Sequence, residues 1–407
     1  MSSPHRHRPR FRLEQLDLAR MRRQRLEKLR SGMKDQGMEA LVLAGTSPVQ
    51  YATGARIASA DSSHGIYQRT VAVVLAEDDQ PHLFCTEPAC APAELGPDHV
   101  HPPLYLESPM GVEALGRWLK EHVSPGSRLG VDDKTVAMHE HLGEWCDVEW
   151  TEANYVLGPA KVTKTPDEVE CIRRAQRINE LAMYDVQAAL RPGMRQSDLS
   201  AIFLGRIFEL GAWGNCIDPI WQVMPTSKAE GPYTTNGELA FPLVTTDRLL
   251  AEGDVIWCDT GISYAGYASD FGRTWVVSED PRPSAAQRQL CRRWLEVVDA
   301  TLSVTRAGAS AHELAVAATE ANGGAKPWLD HFYLVHGVGT DSAEMPLIGT
   351  DLGEDFDRGL VLAPGMVMVL EPVVWEDGVG GYRAEDIVVV TEDGYQMLSD
   401  YPYSPYA

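Results

Sequence analysis

The stretch VIWCDTGISYAGYASDFGRT occupies residues 255–274 and contains two acids that flank a segment with two glycines. The apolar residues 255–258 predict a buried strand that ends just before Asp259. Gly261 and Gly266 are the predicted turn positions, because glycine adopts backbone angles that other residues avoid. A hairpin with its turn in this segment would bring Asp270, and a further strand at 274–277, back beside Asp259. The stretch therefore predicts two neighbouring carboxylates.

A similar pattern occurs about a hundred residues further along the chain. Residues 367–370 predict another apolar strand, which is followed at once by Glu371. The turn sequence Gly378-Val379-Gly380-Gly381 separates this acid from Glu385, and a strand is predicted at 387–390. A second hairpin would thus present a second pair of carboxylates. His336 lies between the two hairpins, in the sequence His336-Gly337-Val338-Gly339.

Four carboxylates in one place repel one another unless protons or cations neutralise them. Two divalent cations supply that charge, and a donor set of four carboxylates and one imidazole suits manganese, cobalt, iron or zinc. A pair of metal ions can hold a bridging water, lower its pKa and polarise a substrate carbonyl. Any one of these acids alone would be an ordinary surface charge. The ordered set predicts a dinuclear metal site.

The ordered set resembles that of the prolidase, aminopeptidase P and creatinase superfamily, whose catalytic domain has the pita-bread fold. Residues 164–170, KTPDEVE, are similar to the helix that opens this catalytic domain. Residues 37–41, GMEAL, and 51–54, YATG, are similar to parts of the family's N-terminal domain. The resemblance in the catalytic region rests on Asp259-Thr260-Gly261, Gly266-Tyr267, Asp270-Phe271-Gly272-Arg273-Thr274, His336-Gly337-x-Gly339, Glu371-Pro372 and Arg383-Ala384-Glu385-Asp386.

The resemblance implies a ligand set for two divalent metal ions, which consists of Asp259, Asp270, His336, Glu371 and Glu385. Asp270 and Glu385 would bridge the ions, and Glu371 would also accept a proton from the attacking water. Arg383 would hold the carboxylates by charge-assisted hydrogen bonds. In such a site a metal-bound hydroxide attacks an amide carbonyl. The resemblance further implies a homodimer that acts on a dipeptide or another small molecule.

The sequence departs from the peptidase pattern at two histidines that position substrate and stabilise the tetrahedral intermediate. One belongs in residues 236–247, but no histidine occurs anywhere from 142 to 311. The other belongs at Ala343, and no histidine follows His336. Loss of one preorganised donor typically costs about 10² to 10³ in rate, so other groups would have to substitute. The candidate catalytic substitutes are Tyr233, Asp341 and Glu344, together with Ser342, His331, and His64 or Tyr67 from the first domain.

Three functions are compatible with these observations. The first is a dinuclear metallohydrolase resembling Xaa-Pro dipeptidase and aminopeptidase P, with altered auxiliary groups. The second is a family member that cleaves a C–N or C–S bond of a small non-peptide substrate. Dimethylsulfoniopropionate lyase is one analogy, although that enzyme has an acid where this chain has Gly261. The third is a non-catalytic binding protein, which the complete ligand set disfavours, because clustered buried acids are costly to keep without metal.

The chain is predicted to contain an α/β N-terminal domain resembling that of creatinase and an α+β pita-bread catalytic domain. We expect a flexible basic N-terminus at 1–16, the first domain at 17–160 and the catalytic domain at 161–407. In the first domain, helices are predicted at 17–37 and 112–122, and strands at 40–44, 71–75, 82–85 and 129–131. In the catalytic domain, helices are predicted from 166 to the Pro192-Gly193 stop and at 197–211, 284–306 and 311–322.

Composition limits the binding partners and the cellular compartment that the chain can have. The chain has 407 residues with 36 Lys+Arg and 58 Asp+Glu, a net charge of −22 that makes nucleic acid and anionic membranes poor partners. No apolar run approaches the roughly 18 residues that a membrane span needs. The seven cysteines are scattered and have no C-x-x-C spacing, which favours reduced thiols. With no apolar leader in MSSPHRHRPRFR, these features predict a cytoplasmic protein.

Overall fold

The computed structural model describes residues 16–57, 69–227, 247–329 and 331–406. Residues 17–161 form one compact unit and residues 162–407 form another. The predicted basic segment 1–16 lies outside the described residues except for Leu16. His64, Tyr67, Tyr233 and the segment 236–246 also lie outside them.

The first unit alternates helices with the strands of a mixed sheet. Its helices are α1 (Leu18–Gln36), α2 (Thr46–Thr53), α3 (Pro109–His122), α4 (Val136–His141) and α5 (Asn154–Val162). Its strands are β1 (Ala40–Leu43), β2 (Val71–Leu75), β3 (His82–Phe84), β4 (Val100–His101), β5 (Ser127–Val131) and β6 (Val148–Glu152). The six strands lie in the order β4-β3-β2-β1-β5-β6. β2 is antiparallel to both β1 and β3, and the other pairs are parallel.

Helices cover both faces of this sheet, which explains why β1 is apolar at every position. Successive side chains of a strand point to opposite faces. Leu41 and Leu43 accordingly pack in a core with residues of α1 and α5, such as Leu29 and Val156. Ala40 and Val42 belong to a separate core with residues of α3 and β5. The predicted α/β architecture of this unit is confirmed.

The second unit combines antiparallel sheets with long helices. Its helices are α6 (Pro166–Ala189), α7 (Gln196–Leu210), α8 (Ala285–Val304), α9 (Ala311–Ala321) and α10 (Glu354–Gly359). Its strands are β7 (Gly214–Val223), β8 (Val255–Tyr264), β9 (Tyr267–Ala268), β10 (Phe271–Val276), β11 (Val335–Gly337), β12 (Glu344–Ile348), β13 (Val367–Leu370), β14 (Val373–Glu376), β15 (Gly380–Arg383), β16 (Asp386–Val390) and β17 (Tyr395–Met397).

Three antiparallel sheets are formed by these strands. β8 lies between β7 and β10 and also pairs with β9. A five-stranded sheet has the order β12-β11-β13-β16-β17, and β14 pairs with β15. The main core lies where α8 and α9 pack on β11, β13, β15 and β16. The sequence-based expectation of an α+β unit rather than a second parallel sheet is confirmed.

Helix α6 begins as the sequence predicts and also supports the hairpin of β8 and β10. The side chain of Thr165 accepts a hydrogen bond from the Glu168 N–H, and Glu168 accepts one from the Thr165 N–H, which together form a capping box. Tyr267, on β9 directly after the hairpin turn, donates its hydroxyl to Glu168 Oε1 at 2.8 Å. Asn179 Nδ2, in the middle of the helix, donates to the Thr260 carbonyl at 2.7 Å. These buried bonds fix the hairpin against the helix.

Arg273 joins the β8–β10 hairpin to the last strands of the unit. Its side chain is 1% exposed, and Nη1 donates to the Glu385 carbonyl at 2.6 Å. Nη2 donates to Asp386 Oδ1 at 3.1 Å and to the Tyr401 carbonyl at 2.8 Å. Tyr403 donates its hydroxyl to the other oxygen of Asp386. The buried charge therefore has partners on two segments, at 385–386 and at 401, and holds the backbone at Glu385 in place.

The seven cysteines, all within described residues, are thiols rather than disulfides. Five of them are buried, while Cys90 is partly exposed and Cys216 is exposed. In the part of the chain that the structure describes, no helix has both the length and the apolar character required to cross a membrane.

Replacing Arg273 should test the importance of this buried charge. In Arg273→Met the carboxylate of Asp386 stays buried without its cation, so we expect the free energy of unfolding to fall by about 3–5 kcal/mol. Denaturant-induced unfolding measures the change. Arg282 pairs with Asp280 on the surface, where its side chain is 81% exposed. Arg282→Met should therefore stay within about 0.5 kcal/mol of the parent. Equal unfolding midpoints for both variants would contradict the assignment.

Candidate metal centre

The first hairpin brings Asp259 and Asp270 together in the predicted way, but its turn is shorter than expected. β8 and β10 pair antiparallel, with Gly272 opposite Asp259. The turn contains Ala265 and Gly266, both with positive φ (54° and 82°), as a two-residue hairpin turn requires. Gly266 is thus a turn residue, as predicted.

The prediction for Gly261 is wrong, because this residue lies within β8. A Cβ atom at this position would lie 2.7 Å from Cγ1 of Ile217 on β7, closer than packed carbon atoms approach. Glycine is needed here for the close approach of a neighbouring strand and not for a turn.

The second pair of acids lies at the same end of two adjacent strands. β13 pairs antiparallel with β16, and Leu370 is opposite Asp386. Glu371 follows β13 and Glu385 precedes β16, so the two carboxylates come together as predicted. The chain between them continues into the β14–β15 hairpin. Gly378 and Val379 of the predicted turn sequence lie in that turn, whereas Gly380 and Gly381 already belong to β15.

His336 lies on β11, between β12 and β13. Its Nδ1 is 2.9 Å from the Gly337 carbonyl, which can only accept, so Nδ1 carries the proton of the neutral ring. Nε2 then presents a lone pair. This atom lies 3.2 Å from Asp270 Oδ2 and 3.4 Å from Glu371 Oε1. A lone pair that faces two carboxylate oxygens is the arrangement expected around a cation.

Arg383 contacts three of the four carboxylates, as the sequence-based interpretation requires. Its Nη1 and Nη2 both donate to Asp259 Oδ2 at 3.2 Å. Nη2 also contacts Glu371 Oε2 at 2.5 Å and Glu385 Oε1 at 2.6 Å. One guanidinium thus orients three acids by charge-assisted contacts.

The carboxylates retain oxygen atoms that no donor satisfies. The five predicted ligands are at most 8% exposed. Among the described residues, no hydrogen-bond donor reaches Asp259 Oδ1, Asp270 Oδ1, Glu371 Oε1 or Glu385 Oε2. One ligand atom from each of Asp259, Asp270 and Glu385 lies within 4.8 Å of the others. Buried oxygens without donors are costly, so these atoms are suited to bind cations.

The acid pKa values agree with an excess of negative charge. Burial raises the pKa of Asp270 well above its ordinary value, and the charges of Asp259 and Glu371 add to this effect. Burial and the charge of Asp259 likewise raise the pKa of Glu385, against the opposing effect of Arg383. Burial also raises the pKa of Glu371, although Arg383 and His336 act in the other direction. Metal ions would remove this repulsion.

Two divalent cations fit this donor set. Four ionised carboxylates and one guanidinium have a net charge of −3, which one divalent ion would reduce to −1 and two would bring to +1. Carboxylate oxygens and a neutral imidazole nitrogen suit borderline transition-metal ions such as manganese, cobalt, iron and zinc. The structure brings all five predicted ligands together. Their assignment as ligands, and the number of ions, stay predictions.

The other predicted catalytic residues have different surroundings. Glu344 forms a buried ion pair in which Oε1 is 2.7 Å from Lys164 Nζ. The Asp341 N–H donates to Glu344 Oε2 at 3.4 Å. His331 is 82% exposed at its side chain and contacts Asp351 at 2.6 Å. These contacts give each residue a structural partner, and a role for Asp341 or Glu344 at the substrate stays a prediction. Tyr233 lies outside the described residues.

Tyr333 is a candidate that the sequence analysis missed. Its ring lies 5.0 Å from the ring of His336, centroid to centroid, and the residue is partly exposed. Burial and the negative charges of Glu371 and Asp270 raise the pKa of its phenol, so the hydroxyl keeps its proton. A neutral phenol beside the acids can donate a hydrogen bond to substrate. The sequence signal that could have identified Tyr333 is its position three residues before His336.

Comparison with known proteins places the chain in a family. The model of metallopeptidase family M24 matches residues 170–392, and that of the creatinase/prolidase N-terminal domain matches residues 25–157. The M24 match covers more than half of the chain. The chain therefore belongs to metallopeptidase family M24, which confirms the family that the sequence resembles. It is a metal-dependent hydrolase of the Xaa-Pro peptidase superfamily, with a pita-bread catalytic domain.

Individual relatives agree with this assignment. The Xaa-Pro dipeptidase of Pyrococcus furiosus is 28% identical over 275 residues, which cover 67% of this chain and 73% of that protein. A probable dipeptidase, PepE, of Mycobacterium tuberculosis is 29% identical over 254 residues, and the match covers 62% of each chain. The structure of an Xaa-Pro dipeptidase from Bacillus anthracis superposes with a TM-score of 0.72 at 19% identity, covering 94% of this chain and 98% of that one. This last likeness shows the fold.

A methyl group at Gly272 should weaken metal binding without unfolding the protein. A Cβ atom there would lie 2.5 Å from both Cδ and Oε1 of Glu385. Gly272→Ala must therefore displace this carboxylate, and we expect the affinity for Mn²⁺ to fall about tenfold or more. Isothermal titration measures the affinity. Gly205→Ala is the matched control, because a Cβ at Gly205 meets nothing within 4 Å. An unchanged affinity in Gly272→Ala would show that Glu385 takes no part in binding.

Proposed function

We propose that this chain is a two-metal dipeptidase that hydrolyses the amide bond before proline in Xaa-Pro dipeptides. The observation that carries the proposal is the convergence of four buried carboxylates and His336 Nε2, with donor-free oxygens facing one another. The name of the Pyrococcus furiosus relative supports the substrate class. The proposed ligands are Asp259, Asp270, His336, Glu371 and Glu385.

Bound divalent cations in such a site lower the pKa of a water and polarise a carbonyl oxygen. The protein supplies the proton acceptor. Glu371 Oε2 is held by Arg383, while Oε1 has no donor among the described residues and can accept a proton. Glu371 therefore serves as the general base in this proposal.

The reaction then needs two proton transfers, one to Glu371 and one from it. The attacking water loses a proton to Glu371 as its oxygen bonds to the amide carbon. The same proton passes from Glu371 to the proline nitrogen as the C–N bond breaks, which releases proline and the Xaa amino acid. Arg383 keeps the Glu371 carboxylate in one orientation throughout, because its Nη2 contacts three acids.

We propose that Tyr333 replaces part of what the absent peptidase histidines supply. A negative charge develops on the carbonyl oxygen when water attacks, and a preorganised donor stabilises this charge. The Tyr333 phenol is neutral, and its ring lies 5.0 Å from that of His336. Asp341, Glu344 and Tyr233 stay candidates for contacts with the rest of the dipeptide, such as its amino group.

Metal analysis combined with a substrate panel tests the proposal. We expect the purified chain to bind two equivalents of Mn²⁺ or a similar ion and to hydrolyse Ala-Pro much faster than Ala-Ala. Asp270→Ala should lose the two Mn²⁺ equivalents and the activity, while Asp280→Ala, at an exposed surface acid, should keep both. Two bound metal ions without turnover of any Xaa-Pro dipeptide would contradict the substrate. A chain that binds no metal and is inert would contradict the metal site as well.

Removing the phenolic hydroxyl of Tyr333 should slow the chemical step. In Tyr333→Phe we expect kcat for Ala-Pro to fall by about 10² to 10³, with a smaller change in KM, because the donor acts mainly on the developing charge. Steady-state kinetics measure both constants. Tyr395→Phe serves as the control, since Tyr395 is exposed on β17. A normal kcat in Tyr333→Phe would exclude the hydroxyl as a donor in the reaction.

We further propose, from the sequence and the family resemblance, that the protein is a homodimer and is located in the cytoplasm. The thiol state of the cysteines supports a reducing compartment. Light scattering of the full chain would establish the oligomeric state, and fractionation of the source cells would establish the location.

A further inference from the structure

A histidine cluster lies in the first unit, whereas the proposed dinuclear site belongs to the second. It contains His82 at the start of β3, Asp78 four residues before it, His99 just before β4 and His101 at the end of β4. β3 and β4 are parallel, with Phe84 opposite His101, so residues 99–101 lie beside 82–84. The cluster therefore forms because two short strands pair, although its members are separated along the chain.

The geometry around His82 suits a metal ligand. His82 Nε2 lies 3.1 Å from Asp78 Oδ2, and His82 Nδ1 lies 3.0 Å from His101 Nε2. When Nδ1–H donates to His101, Nε2 presents a lone pair on the side of Asp78. A ligating histidine normally donates its second ring N–H to a neighbouring acceptor in this way. Without an ion, the other tautomer satisfies both contacts by donating Nε2–H to Asp78.

His99 completes a set of three donors. Its ring stacks on that of His82 with centroids 4.5 Å apart. Its Nδ1 is buried and has no hydrogen-bond partner among the described residues. One ligand atom from each of Asp78, His82 and His99 lies within 4.8 Å of the other two. An imidazole nitrogen that is buried without a partner is costly in either tautomer unless something binds there.

The surroundings favour the neutral form of His82 and His101 and order the ring of His101. Burial lowers the pKa of His82, and the neighbouring His99 and His101 add to this effect against Asp78. Burial, His99 and His122 lower the pKa of His101. Neutral rings have lone pairs available at neutral pH. The aromatic ring of Phe84 stacks on His101 at 4.6 Å and fixes its orientation.

We propose that Asp78, His82 and His99 bind a single zinc-type divalent ion, with His101 as the positioning residue that orients His82. Two imidazole nitrogens and one carboxylate oxygen are common zinc ligands, at about 2.0–2.2 Å. Tetrahedral bonds of that length separate ligand atoms by roughly 3.4 Å, close to the 3.1 Å between His82 Nε2 and Asp78 Oδ2. The side chain of Asp78 is 28% exposed, so water can take the fourth position.

Such an ion would fasten the β2–β3 turn to the segment that precedes β4. Asp78 lies in that turn, and His99 ends a short 3₁₀ turn, Pro97–His99. The Gly96 N–H already donates to Gln80 Oε1 across these segments at 2.8 Å, and an ion would add a second cross-link within the first unit. The site does not depend on the proposed dipeptidase activity.

Zinc binding to the full chain tests the proposal. After equilibrium dialysis against micromolar Zn²⁺, the parent should hold one more equivalent of zinc than His99→Gln. The matched control His139→Gln, at an exposed histidine of the same unit, should bind as the parent does. In Asp270→Ala one equivalent should remain, and adding His99→Gln should remove it. The Xaa-Pro turnover of His99→Gln should equal that of the parent, because the site is separate.

Each outcome decides the matter. Loss of one zinc equivalent in His99→Gln supports the assignment. So does a thermal midpoint that Zn²⁺ raises in Asp270→Ala but no longer raises once His99→Gln is added to that variant. Equal zinc content in the parent and in His99→Gln overturns it. Circular dichroism of His99→Gln shows whether the variant is folded. If it is not, Asp78→Asn, at a partly exposed position, provides the same comparison.

Discussion

Excess negative charge in a small buried space is the constraint on which the catalytic unit depends. Four carboxylates converge on one imidazole nitrogen, and Arg383 is the single cation whose contacts with three of them are seen in the described residues. The raised pKa values of Asp270 and Glu385 express the same repulsion. A protein can keep such a cluster only if protons or metal ions neutralise it. Because the chain belongs to metallopeptidase family M24, metal ions are the relevant neutralising charge.

The rest of the unit can be understood as the support that this cluster needs. Two antiparallel pairs deliver the acids, because Asp259 lies opposite Gly272 and Glu371 and Glu385 flank the paired ends of β13 and β16. Helix α6 fixes the first pair through buried hydrogen bonds. Arg273 fixes the second through the Glu385 carbonyl. Each support is itself buried and satisfied, which makes the geometry rigid before any ligand arrives.

The sequence predicts this cluster well because its signals are local. An acid that directly follows an apolar strand, with a turn before the next acid, needs little knowledge of the tertiary fold. The role of Gly261 could not be predicted, since a glycine required by packing against Ile217 looks the same in sequence as a turn glycine. β7 was missed for a related reason: it contains Pro219, and its register shifts twice against β8. α5 contains Pro159, which a sequence pattern takes as a helix stop.

Groups that meet only through tertiary contacts were also beyond the sequence. Tyr333 gains its importance from the ring of His336 and the charges beyond it. The histidines of the first unit have no recognisable ligand spacing, and β4, which brings two of them together, has only two residues. By contrast, β1 and β2 were visible as apolar runs, and the start of α6 was visible as Thr165 before Pro166. Their physical causes lie within a few residues of the chain.

Anomalous diffraction from crystals grown with Mn²⁺ tests the central claim most directly. The account predicts two strong peaks a few ångströms apart, each within bonding distance of carboxylate oxygens from both hairpins, with His336 Nε2 on one of them. Crystals whose map shows no peak there, with the five side chains turned away from one another or paired with other groups of the protein, would contradict it.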